Sequence, residues 1–324
     1  MEPTVIIAYK FGDIQAEEEV LQAINATVLR VENLDTPDVL KRVTQADALM
    51  VALQRVSAEL IATMERCRII SRIGTGFDTI DIDAATQHGI WVTNVPDYAV
   101  DEVSTHAIAL LLAHARSLPF LIESTRKGGW DHKTVVPIRR LQGQTLGLIG
   151  FGRIGKMVAM KARGLGLEVI VYDPYLAPES FESADTQIVD WETLLGTSDF
   201  ISLHIPLTEA THYIINARAF SLMKSTAVLI NTARGGLVDE NALLQAVRAD
   251  QIAGAALDVL SVEPPPLEHP LLTEDRVLIT PHSAWYSEES MLDMCMRGAE
   301  EVVRAMRGEK PRCPVNQIKH DSSV

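Results

Sequence analysis

Short apolar runs rich in β-branched residues alternate with amphipathic stretches along almost the whole chain. Candidate strands fall at 5–9, 49–53, 69–73 and 91–95, and a second series at 145–149, 169–172, 200–203, 227–231, 254–258 and 277–280. Helical spacing runs between them, as in 239–249, where Ala242, Leu243, Ala246 and Val247 share one face. Strand–helix–strand alternation predicts parallel sheets with right-handed crossovers, hence an α/β fold. Residues 100–115 read as a long helix, apolar on most sides. After it, Lys127-Gly128-Gly129-Trp130 and Arg139-Arg140 read as a connecting loop, and 317–324 is a polar end expected to fray.

Composition narrows the picture. The 324 residues suit two domains, and the aliphatic rather than aromatic character of the apolar half (5% aromatic) is the material of helix-covered parallel sheets. A formal charge of −14 without long runs of one sign argues against nucleic acid or an anionic membrane as partner. The most apolar run, 107–113, is too short to span a bilayer. Cys67, Cys295 and Cys313 are odd in number and lack Cys-x-x-Cys spacing, which predicts a reducing compartment and no structural metal. The first residues carry no basic leader, so the expectation is a cytoplasmic protein.

Two constellations carry chemistry. The strand ending at Ile149 runs into Gly150-Phe151-Gly152-Arg153-Ile154-Gly155, followed by a helical pattern. The first glycine permits the turn, the second lets a pyrophosphate approach the backbone, and the third lets helix and strand pack closely. The next strand ends in Asp173, placed to accept from the adenosine ribose hydroxyls and to repel a 2′-phosphate, so NAD is expected over NADP. Later, Arg234, Glu263 and His282 each lie at or just after the end of an apolar strand. Strand ends line the ligand crevice of a doubly wound sheet, so the three can converge. A guanidinium clamps a carboxylate, and a histidine paired with a glutamate is held in one tautomer for proton transfer. Any one of them alone is an ordinary loop charge. The remaining histidines, His106, His114 and His204 among them, read as ordinary helix, loop or strand-end residues.

From about residue 49 to 317 the sequence resembles the D-2-hydroxyacid dehydrogenase family. The motifs that carry it are the glycine loop, Arg72-Ile73-Gly74-Thr75-Gly76-Phe77-Asp78, Asn231-Thr232-Ala233-Arg234-Gly235-Gly236, Ala255-Ala256-Leu257-Asp258-Val259 and Thr280-Pro281-His282. The resemblance implies Arg234 on the substrate carboxylate, His282 as acid and base, and Glu263 as its partner. It further implies that the amides of Gly74, Thr75 and Gly76 meet the carboxylate. Asp258 would lie near the nicotinamide amide, and Pro206, Thr232 and Ala233 along the cofactor. Pro281-His282-Ser283-Ala284-Trp285-Tyr286-Ser287 is most similar to the branch containing the C-terminal-binding-protein corepressors, which implies the Trp285 indole in the substrate pocket.

The implied architecture is two doubly wound parallel-sheet domains: a Rossmann-type NAD domain, 97–283, inserted in a flavodoxin-like substrate domain, 1–96 plus 284–324. The implied activity is NAD-dependent interconversion of a small 2-keto acid and a (D)-2-hydroxy acid without a metal. The implied assembly is a homodimer through the NAD domain. One alternative is an NAD(H)-sensing corepressor-like scaffold. Another is a short 3-phosphoglycerate dehydrogenase, against which stand Ala52-Leu53, with Arg55 nearby, in place of an arginine after the strand matching 49–51 and the absence of a regulatory domain after Gln317.

Overall fold

The computed structural model describes residues 2–9, 12–34, 36–135, 137–176 and 186–318. The chain divides into two compact units, Met1–Tyr98 with Ser287–Val324, and Ala99–Tyr286. The C-terminal end expected to fray lies, beyond residue 318, outside the described residues.

The first unit runs β1 (Thr4–Ala8), α1 (Gln15–Leu21), β2 (Thr27–Val31), α2 (Pro37–Thr44), β3 (Ala48–Val51), α3 (Ala58–Ala62), β4 (Ile69–Arg72), α4 (Ile82–Gln87) and β5 (Trp91–Thr93). Its sheet is all parallel in the order β2-β1-β3-β4-β5, the flavodoxin-like winding. The central strands β1, β3 and β4 are buried almost throughout, which is why they read as unbroken apolar runs.

The second unit runs α5 (Val100–Ala115), α6 (Leu118–Arg126), β6 (Thr145–Ile149), α7 (Arg153–Gly164), β7 (Glu168–Tyr172), β8 (Gln187–Ile188), α8 (Trp191–Thr197), β9 (Phe200–Leu203), α9 (Ala217–Leu222), β10 (Val228–Asn231), α10 (Glu240–Arg248), β11 (Gly254–Leu257) and β12 (Val277–Ile279). All seven strands are parallel, in the order β12-β11-β10-β9-β6-β7-β8, so the winding reverses between β6 and β9. Successive side chains feed opposite faces. Ile149, Leu203, Leu229 and Leu257 join one core, and Leu148, Val171, Ile230 and Ala256 the other. Lys161 of α7 donates to the Asp101 carboxylate and carbonyl and to the Ser104 and Thr105 hydroxyls, tying that helix to α5.

The chain then returns to the first unit as α11 (Glu288–Met306), opened by a capping box in which the Ser287 side chain accepts from the Ser290 N–H. The tail lies along β5: Val315 N–H donates to the Val92 carbonyl, and the Asn316 amide accepts from Val92 N–H and donates to the Ile90 carbonyl.

Each of the ten strands expected from the sequence is present, within two residues at either end. The two not anticipated, β2 and β8, are edge strands with exposed polar positions, so neither produces an apolar run. α5 is as expected, buried along Val103, Ala107, Ile108, Leu110 and Leu111. Among the described residues no single helix is long and apolar enough to cross a membrane.

Candidate active site

The carboxyl ends of the second unit's strands carry nearly all the candidate residues. At the winding reversal, Gly150 has φ +93°, and a Cβ there would lie 2.5 Å from the His204 carbonyl oxygen. Only glycine fits both conditions. Gly155 packs against the Gly150 carbonyl, closing the turn, whereas a Cβ on the exposed Gly152 would meet nothing within 4 Å. Gly152 is also the N-cap of α7 and has no side chain to satisfy the first N–H groups. By contrast, α8, α9 and α10 of the same unit are each capped by a side-chain oxygen, from Asp190, Asn216 and Asp239. An uncapped helix start under open space, beside Arg153 and Ile154, is fitted to a phosphate anion.

Asp173, at the end of β7, accepts from Phe151 N–H at 2.9 Å and from Tyr175 N–H at 3.0 Å. Each carboxylate oxygen keeps a lone pair that a ribose hydroxyl can fill, so Asp173 braces the glycine loop while remaining able to bind a ligand. The Thr232 hydroxyl, just past β10, is buried and meets no partner among the described residues. Pro206 lies exposed after β9, with its carbonyl accepting from Thr211. Open space at the helix start, the spare acceptors of Asp173 and the orphaned Thr232 hydroxyl fit a dinucleotide.

His204, half-buried overall with its imidazole enclosed beside the Ser202 hydroxyl, has its pKa driven down by burial to about 4. It is neutral at pH 7.

Further along the same carboxyl edge, at the end of β10, the fully buried Asn231 shapes the turn that carries Arg234. Its amide donates to the Arg234 carbonyl at 2.8 Å and accepts from Ala233 N–H at 3.0 Å. Gly235 rests directly on the Leu260–Ser261 backbone, where no side chain would fit. That contact sets the Arg234 turn against the loop of Glu263. Glu263 Oε1 accepts from Leu260 N–H at 2.9 Å, and Oε2 accepts from His282 Nδ1–H at 2.5 Å. Burial raises the Glu263 carboxyl, but the His282 hydrogen bond and charge, the Leu260 amide and the Arg234 guanidinium outweigh it and hold the pKa below the usual range. With Nδ1 engaged, Nε2 of His282 is the nitrogen left for a substrate proton.

His282 itself has φ +51°, an uncommon conformation for a histidine. The turn around it hangs on Asp258, which is 1% exposed. Asp258 Oδ1 accepts from the Thr280 hydroxyl at 2.5 Å and Ser283 N–H at 3.0 Å, and Oδ2 from Ala284 N–H at 2.8 Å. The Asp258 carbonyl accepts from His282 N–H at 2.8 Å. From α5, His106 Nε2 reaches the Thr280 hydroxyl at 3.0 Å. The Trp285 indole N–H donates to the His282 carbonyl at 2.9 Å.

Sequence reasoning missed His106 and the bracing parts of Asp258 and Trp285. The only sequence signal for His106 is a polar residue interrupting an apolar helix, which by itself names no partner.

In the first unit, Gly74 has φ +134° and lies directly over the buried Arg72 guanidinium, which donates to the Ile73 carbonyl at 2.7 Å. The Gly74 carbonyl accepts from Val95 N–H and the Thr75 carbonyl from the Asn94 amide. The N–H groups of Gly74, Thr75 and Gly76 meet no protein acceptor among the described residues.

A Rossmann-type sheet with this glycine turn, and an Arg, a Glu and a His at its strand ends, defines a dinucleotide-binding α/β class. The chain belongs to the D-isomer-specific 2-hydroxyacid dehydrogenase family, whose NAD-binding domain matches residues 108–284. It is 40% identical to the D-3-phosphoglycerate dehydrogenase of Archaeoglobus fulgidus over 92% of this chain, and spans only 57% of that protein's length. It is 38% identical to the glyoxylate reductase of Korarchaeum cryptofilum over 86% of this chain and 85% of that one. The structure of Aquifex aeolicus D-lactate dehydrogenase with NAD and lactic acid superposes with a TM-score of 0.85 at 30% identity, covering 94% of this chain and 96% of that one.

Proposed function

We propose that this protein interconverts a small 2-keto acid and the (D)-2-hydroxy acid with NAD(H). The observation that carries the reading is the 2.5 Å His282–Glu263 pair beside the Arg234 turn, on the same carboxyl edge of the parallel sheet as the dinucleotide turn after β6. Bound NADH supplies the hydride. Arg234 clamps the substrate carboxylate and offsets charge developing on the carbonyl oxygen. His282 Nε2 delivers the proton to that oxygen in reduction and removes it in oxidation, while Glu263 holds Nδ1–H and the ring orientation. Asp173 selects NAD by repelling a 2′-phosphate. The amides of Gly74, Thr75 and Gly76 are proposed as further carboxylate donors, supported by their lack of protein acceptors and by the family motif. Domain roles follow from these assignments: the second unit binds the cofactor and carries Arg234, Glu263 and His282, and the first carries the Gly74, Thr75 and Gly76 amides.

The first test is reduction of glyoxylate, pyruvate, hydroxypyruvate, phenylpyruvate and 3-phosphohydroxypyruvate by the purified protein with NADH. Turnover of at least one, abolished in His282→Ala, is the expected result. Tight NADH binding without turnover of any overturns the enzymatic reading and leaves the scaffold.

The phosphoglycerate dehydrogenase likeness, 41% identity over 94% of this chain for the Methanocaldococcus jannaschii protein, favours a phosphorylated substrate as second reading. The exposed Leu53 and Arg55 in the loop after β3 are the residues to vary for it. Preference for phosphohydroxypyruvate over every unphosphorylated acid would establish it.

We further propose a homodimer through the second unit. The exposed Leu118, Phe120 and Ile122 of α6 support it, and a monomeric mass in light scattering at micromolar concentration would exclude it. Cys67, Cys295 and Cys313 form no disulfide among the described residues, which supports the proposal of a reducing, cytoplasmic location.

A further inference from the structure

His282 is held in a left-handed backbone conformation that persists only where its surroundings over-determine it. One constraint comes from its own loop, the Trp285 bond on the carbonyl, and a second from the loop after β11, the Glu263 contact on the ring. The third is Asp258, and Asp258 is itself anchored from a different element. Its carboxylate receives the Thr280 hydroxyl, and Thr280 is met by His106 on α5, whose Nε2 also lies 3.5 Å from Asp258 Oδ1.

The directions of these bonds are determined. A carboxylate only accepts, so the Thr280 hydrogen points at Asp258 Oδ1. The Thr280 oxygen must then accept from His106, so Nε2 of His106 carries a hydrogen. The result is a one-way chain of donors from a long buried helix, through Thr280, to the carboxylate that gathers Ser283 N–H and Ala284 N–H around His282.

We infer that His106 is a positioning residue for His282, acting through Thr280 and Asp258. It touches neither substrate nor cofactor in this role. Its hydrogen bond fixes the Thr280 rotor, which leaves Oδ1 committed to the loop and one lone pair of Oδ2 for a ligand amide. Without that bond, Thr280 can rotate to serve the histidine's vacated space, and the His282 turn loses its anchor to α5. Misplacing a catalytic group by about 1 Å costs as much as about 100-fold in rate. A partial loosening transmitted through two bonds is therefore expected to cost about 10-fold.

The inference rests on His282 being the proton-transfer group, and the experiment separates the two. His106→Leu keeps the apolar body and removes the donor. His106→Gln keeps an N–H able to reach Thr280. Three readouts are taken: kcat and KM for the best keto acid, NADH affinity by fluorescence, and the titration of the His282 ring by NMR in cofactor-free protein. Glu263 on Nδ1 of that ring, Arg234, whose charge acts on Glu263, and Asp258, which anchors the turn, are all retained.

The expected result is kcat about 10-fold lower in His106→Leu, with KM and NADH affinity within about 2-fold and a displaced His282 titration. His106→Gln should restore kcat and titration to within about 3-fold of the parent. Wild-type kcat and titration in His106→Leu, or equal damage from both variants, overturns the inference. If His106→Leu does not fold, Thr280→Val, which deletes the hydroxyl at constant shape, takes its place with the same expected outcomes. A fully active His282→Ala sinks the proton-transfer reading instead. If no keto acid is turned over, the NMR titration still decides.

Discussion

The two working ends of the seven-stranded sheet's carboxyl edge, one after β6 and β7 and the other after β10, β11 and β12, are built by opposite means. The turn at 150–155 works by what it leaves out: no Cβ at Gly150, no cap on α7, no side chain over Gly152. The turn around His282 works by accumulation, with Asp258 holding the Thr280 hydroxyl and the Ser283 and Ala284 amides, Glu263 the imidazole and Trp285 the His282 carbonyl. A site for an anion on backbone amides needs empty space and a fixed helix. A proton donor needs one ring nitrogen occupied and the other aimed. The first is written in contiguous residues, and the second has to be assembled.

The contrast can be broken most severely at His282. His282→Ala should lower kcat/KM for the keto acid by about 100- to 10,000-fold, the usual contribution of a positioned acid or base, with NADH binding retained. Comparable loss of NADH affinity would show that the two ends are not separate.

The glycine end predicts a split between two neighbouring glycines. Gly150→Ala should destabilise the fold by about 1–3 kcal/mol, because φ +93° and the His204 carbonyl both oppose it. Gly152→Ala should change the cofactor-free melting temperature by only a few degrees, from an N-cap cost of about 1 kcal/mol, yet weaken NADH binding about 10-fold or more. Equal loss of stability in both would deny that the space above Gly152 is ligand space.

Glu263→Gln should lower kcat about 10-fold while leaving KM within a few-fold, since an amide holds Nδ1–H less strongly than a carboxylate. Its effect on stability has a definite sign. The folded carboxyl has a depressed pKa, so the ionised pair stabilises the fold above the ordinary carboxyl range and that stabilisation is lost as pH falls through the lowered value. The stability gap between parent and Glu263→Gln should therefore shrink in acid, and a gap that widens there would refute the pairing.

His204 at the glycine end has the same trend with pH in a higher window. Its pKa falls from 6.5 to about 4 on folding, so the unfolded chain binds the proton first and stability drops as pH goes from about 6.5 to about 4. His204→Asn should flatten denaturation midpoints across that interval. An unchanged slope would place the titration elsewhere. The smallest expected effect is that of Asp173→Ala: a several-fold fall in the NAD over NADP preference, read from the ratio of kcat/KM values.

The legible part of the molecule was the part written locally. Central parallel strands such as β6, β9 and β10 are apolar on both faces, so they announced themselves, while edge strands β2 and β8 did not. The glycine loop needed only its own six residues and the strand and helix beside it. Arg234, Glu263 and His282 were recognisable as types at strand ends, and the pairing of Glu263 with His282 followed from their chemistry. The staples around them were not recognisable. Asn231 read as the end of a strand and His106 as a polar interruption in a helix.

The chain by itself therefore determined the parallel α/β winding, the dinucleotide turn and the identity of the reactive side chains, because period, turn geometry and functional group are properties of neighbouring residues. Only the tertiary structure decided which nitrogen of His282 is left for the substrate, that Asp258 spends three acceptances on the His282 turn, and that a histidine 176 positions earlier joins them. Those facts depend on hydrogen bonds between strands and helices far apart in sequence, and a carboxylate's partners are set by what folding brings within about 3 Å of it.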